Sequence, residues 1–93
     1  MQKKIANSMA DEDLALRAFA HVAADPELLS ALLASTGAAP SDLVAAAQTP
    51  EFAAFILDFL MQSDERVLAF AASEGIAPEA VARAHARLLG FIG

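Results

Sequence analysis

Ser35-Thr36-Gly37-Ala38-Ala39-Pro40 returns 38 positions later as Ser73-Glu74-Gly75-Ile76-Ala77-Pro78. Each copy reads as a helix stop followed at once by a helix start. Glycine just past a helix end enters the left-handed region without steric cost. Proline in the first turn has a suitable φ, and there it loses no N–H that the helix needs. A chain punctuated this way folds as short helices turned back on one another. Duplication and independent choice of the same stop-and-start chemistry explain the echo equally well. Either origin predicts two similar three-helix halves, with the first helix corresponding to the fourth.

The other two prolines mark further starts. Asp25-Pro26-Glu27 and Thr49-Pro50-Glu51 each set a capping oxygen before proline and an acid in the first turn. The oxygen accepts an orphan N–H, and the acid meets the positive end of the helix dipole. Ser63-Asp64-Glu65 supplies a start without proline, and Ser8 with Asp11, Glu12 and Asp13 opens the first helix. Six helices follow, at about 9–24, 26–36, 40–48, 50–62, 64–74 and 78–90, with ends good to ~2–4 residues. No stretch alternates strictly, so no strand is expected. The fold class is all-α, a compact bundle, with a loose arm over 1–7 and one helical domain over 8–93.

Helical spacing sketches the core. The first two helices offer Leu14, Ala18, Phe19 and Val22, then Leu28, Leu29, Leu32 and Leu33. The third offers Leu43, Val44 and Ala47; the fifth, Val67, Leu68, Phe70 and Ala71; the sixth, Val81, Ala84, Leu88 and Leu89. The fourth is apolar almost all round, and such a helix belongs at the centre. A bundle of 93 residues has limited capacity to enclose one helix on every side. Phe52, Phe55, Phe59 and Met61 are therefore a candidate interaction surface.

Composition excludes several function classes. The hydrophobic fraction is 57%, much of it alanine, which points to close-packed helices. The apolar run from Phe52 to Leu57 is far short of the ~18–20 residues a membrane span needs. Without cysteine there is no disulfide or thiol chemistry, and a cytoplasmic location is the expectation. A net charge of −6 opposes binding to a phosphate backbone unless cations gather on one face. Only Arg83 and Arg87, four apart, are candidate phosphate contacts.

Chemistry-bearing patterns are sparse. Ala71, Gly75 and Val81 have the spacing of a DNA-reading helix-turn-helix. The second helix of that corner, however, leads with Pro78, Glu79, Ala80 and Ala82, none of which reads bases by bidentate contacts. Gly75-Ile76-Ala77-Pro78 also resembles the turn of a helix-hairpin-helix, with Ala77 and Glu79 departing from it where a phosphate would sit. His21 and His85 lie among arginines, which disfavours a metal. Asp58 interrupts the most apolar helix; it either marks a wet stripe or pairs with an arginine such as Arg17. An enzymatic site would have to gather Asp58, Arg17 and His21. No nucleophile, phosphate-loop or dinucleotide pattern occurs.

Ala24-Asp25-Pro26-Glu27, the Gly37-x-x-Pro40 corner, Pro50-Glu51-Phe52, Leu57-Asp58-Phe59-Leu60, and Leu68-Ala69-Phe70 leading to Gly75-Ile76-Ala77-Pro78-Glu79 form a set. By these the chain from about 11 to 90 resembles an alphaproteobacterial family known as domain of unknown function 3572. The resemblance implies a compact, all-helical, cytoplasmic bacterial protein, and brings no catalytic or binding residue. The expectation for function is a non-enzymatic helical interaction module. It would need no cofactor or metal and no membrane, and would bind a protein partner or itself through helix 50–62. The alternative is nucleic-acid binding through the corner at 64–90.

Overall fold

The computed structural model describes residues 11–37, 41, 42 and 49–92, the last two of these as backbone only. They contain five helices: α1 (Asp11–Ala23), α2 (Pro26–Thr36), α3 (Pro50–Met61), α4 (Asp64–Glu74) and α5 (Pro78–Ile92). No strand occurs among the described residues. Five helices stand here where six were expected. The expected helix at 40–48, with Leu43, Val44 and Ala47, lies outside the described residues except for Ser41 and Asp42, which are helical. The expected arm at 1–7 lies outside them as well.

The punctuation works as its chemistry dictates. Asp25 accepts from the N–H groups of Glu27 and Leu28 at 2.9 and 3.3 Å, Thr49 from Phe52 at 3.1 Å, and Ser63 from Arg66 at 3.5 Å. Gly37 and Gly75 both hold left-handed backbone, with φ of 71° and 69°. The Gly37 N–H donates to the Leu33 carbonyl at 2.8 Å, and the Ile76 N–H to Ala71 at 3.0 Å. Both bonds satisfy carbonyls that a helix end leaves open. Gly90 is no stop; α5 runs through it to Ile92.

α3 is the central element and packs on α1, α4 and α5. Phe52, Ala53, Ala54, Ile56, Leu57, Phe59 and Leu60 are all buried along it. Ile56, Leu57 and Leu60 are fully enclosed, which stabilises the fold by roughly 1.5–3 kcal/mol apiece. The remaining stripe of α3, Glu51, Phe55 and Asp58, meets solvent. α1 instead buries one narrow face, Leu14, Ala15, Ala18 and Val22. The expected correspondence of these two helices therefore does not extend to burial. The radius of gyration, 12.9 Å, is close to the ~12 Å of a compact chain this long.

Two core expectations need correction. Leu68 is 54% exposed and Leu89 is 50% exposed. On α4 the enclosed residues are Phe70 and Ala71; on α5 they are Val81, Ala84 and Leu88. Adjacent helical residues point about 100° apart, so a narrow buried face that holds Leu88 leaves Leu89 at its edge.

Candidate interaction groove

The four residues expected to form an apolar surface on α3 do not lie together on the surface. Phe52 and Phe59 belong to the core. The Phe52 ring meets Phe19 edge-on at 5.7 Å between centroids and Phe55 at 5.9 Å. The Phe59 ring lies beneath the Arg66 guanidinium, 4.2 Å from its centroid. Arg66 also donates to the Phe59 carbonyl at 3.0 Å, near the C-terminal end of α3 where carbonyls lack helical partners. Their enclosure follows from three neighbouring helices covering most of α3. Phe55 is half-buried and Met61 is 36% exposed, and they line different depressions.

Phe55 opens into a groove of about 360 Å³ between α3 and α5. From α3 come Glu51, Ala54, Phe55 and Asp58; from α5 come His85 and Leu89. The spacing explains the convergence. Positions 51, 55 and 58 share one helical stripe, and 85 and 89 stand one turn apart. Ala54, small and buried, keeps the floor low between the larger side chains. Asp58 is the wet-stripe residue that its place in an apolar helix allowed. Its side chain is 54% exposed and lies 3.8 Å from His85 Nε2, whose side chain is 15% exposed. Gln62 Nε2 reaches the other carboxylate oxygen at 3.5 Å. The groove is shallow and open to solvent, unlike small-molecule pockets that bury most of a ligand.

The remaining candidates are dispersed. Arg17 pairs with Glu74 at 3.1 Å, not with Asp58. His21 packs edge-on against Phe70, 5.4 Å between centroids. Arg17 and His21 thus face α4 while Asp58 faces α5, and the three do not form one site. Among the described residues no group of three or more His, Cys, Asp or Glu could hold a metal.

The α4–α5 corner turns through exposed, left-handed Gly75, and the helices on either side bury Phe70 and Ala71, then Val81 and Ala84. Its two arginines differ. Arg87 forms a paired contact with Asp11, Nε to Oδ2 at 3.0 Å and Nη2 to Oδ1 at 2.9 Å. The hydrogen bonds and the charge of Asp11 raise the Arg87 pKa above its ordinary value. Arg87 is therefore engaged within the fold rather than offered to a phosphate. Arg83 is exposed, and no ion pair among the described residues involves it.

Sequence reading missed the groove because its two walls come from helices that proximity in the chain does not pair. One signal was present: two successive leucines, 88 and 89, cannot both enter a narrow buried face.

These features define an all-helical protein with a central, nearly enclosed helix and, between α3 and α5, an open groove with an apolar floor and carboxylates on its rim. The chain belongs to the family described as "Protein of unknown function (DUF3572)", whose model matches residues 8–91. No curated protein and no solved structure matches it. No helix among the described residues is long and apolar enough to cross a membrane.

Proposed function

We propose that this protein is a non-enzymatic interaction module that holds an apolar side chain of another protein in the α3–α5 groove. One observation carries the reading: Leu89, 50% exposed, stands across a groove from half-buried Phe55 instead of joining the core. A large apolar side chain left half in water on a wall of an apolar-floored groove gains free energy when a partner covers it. Charged groups border the groove but form no nucleophile–base pair, so recognition suits it better than chemistry. A cysteine-free acidic chain fits work in the bacterial cytoplasm.

A photo-cross-linking residue at position 89, in cells that make the protein, tests this. A discrete adduct from position 89, absent when the same residue replaces exposed Ser30, supports the groove. Equal background from both positions overturns it.

A second reading, nucleic-acid binding through the α4–α5 corner, has the buried Ala71 and Val81 and the left-handed turn at Gly75 in its favour. Charge opposes it, since Arg87 is engaged by Asp11 and Glu79 opens the second helix. A low-salt gel shift decides. Retardation that Arg83→Ala removes supports this reading, and none at tens of micromolar protein, a range where non-specific binders show (Kd ~10⁻⁴–10⁻⁶ M), ends it.

A further inference from the structure

We propose that the occupant of the α3–α5 groove is a short amphipathic helix from a partner protein, with an apolar anchor flanked by Lys or Arg. This names the partner chemistry for the interaction reading above and rests on it. The apolar part of the groove is Ala54, Phe55 and Leu89, and its α3 rim carries Glu51 and Asp58. Among the described residues no Lys or Arg lines it. Glu51 is exposed and forms no ion pair among the described residues. The only described polar contacts of Asp58, to Gln62 at 3.5 Å and His85 at 3.8 Å, are long. The rim therefore presents negative charge that no Lys or Arg among the described residues neutralises, and a cationic partner complements it.

The spacing sets the form of that partner. Positions 51 and 58 are seven residues apart on one helix, a rise of about 10 Å. A helix lying along α3 matches them with cations two turns apart. Between those cations, one turn in from each, an apolar side chain reaches Phe55 and Leu89. A second copy of this chain fits poorly. Each copy carries a net charge of −6, and the described lining of its groove offers no Lys or Arg to the acidic rim of the other.

The experiment titrates isotopically labelled protein, observed by amide NMR, with three helix-favouring peptides of about 14 residues. One carries a central leucine with lysines two turns apart. The second has glutamates for the lysines, and the third has serine for the leucine. The lysine–leucine peptide is expected to move the signals of Phe55, Asp58, His85 and Leu89. Its Kd should rise about fivefold or more between ~0.05 M and ~0.5 M salt. Glu51→Gln with Asp58→Asn should weaken it by about fivefold at low salt. Leu89→Glu should abolish the shifts while leaving the circular dichroism spectrum unchanged, because Leu89 is half in solvent already.

Equal binding of the glutamate peptide overturns the charge assignment and leaves the groove reading standing. A dimer in sedimentation that Leu89→Glu dissociates gives the groove to a second copy and also overturns the inference. No shifts with any peptide overturns it as well, and the adduct at position 89 then tells whether the groove reading falls too.

Discussion

Gly75 takes a backbone φ of 69°, yet a Cβ built on it would meet nothing within 4 Å. The reason for glycine there is thus conformational and not spatial. Gly75→Ala should lower stability by about 1 kcal/mol, and Gly75→Asn by less, because Asn tolerates the left-handed region better. Gly90 has the same open surroundings but sits inside α5 at an ordinary φ. Gly90→Ala should therefore stabilise, by about 0.5 kcal/mol. Urea unfolding of the three variants checks the opposite signs; a shared sign would contradict the corner geometry. Both corner glycines were legible in the sequence because their reason is local. The partners of Arg17, Arg87 and Asp58 were not, because ion pairs across helices depend on how the helices are laid together. Asp11 and Arg87 meet across 76 positions of chain.

At the scale of the element, starts and stops were readable from capping oxygens, prolines and glycines. Which face each helix turns inward was less so. α5 shows the difference in two neighbouring residues, Leu88 at 2% exposure and Leu89 at 50%. Leu88→Ala should cost about 2–4 kcal/mol through lost burial and a cavity, while Leu89→Ala should stay within about 0.5 kcal/mol. Thermal or chemical denaturation distinguishes them, and similar costs would place Leu89 in the core. Periodicity alone admitted both leucines, since it fixes the centre of a buried face better than its edge. The groove lies along such an edge, and it therefore went unseen until α3 and α5 were placed side by side.

For the molecule as a whole, α3 is the axis on which α1, α4 and α5 lean. Phe59, at 1% exposure, is covered on one side by the Arg66 guanidinium. Phe59→Ala should cost about 3–5 kcal/mol, a large part of the ~5–15 kcal/mol that holds a domain together. Phe59→Leu should cost appreciably less, and the difference between the two in urea midpoint measures the ring. The centrality of this helix was readable from its unbroken apolar character, but sequence could not say that the enclosure would take in Phe52 and Phe59 and spare Phe55. The order of the elements also bears on how the molecule is made. α1 gains one of its neighbours and the Asp11–Arg87 clasp only from the last helix of the described chain. During synthesis the first helix must wait for residue 87 to emerge, so the described fold closes only after α5 has left the ribosome.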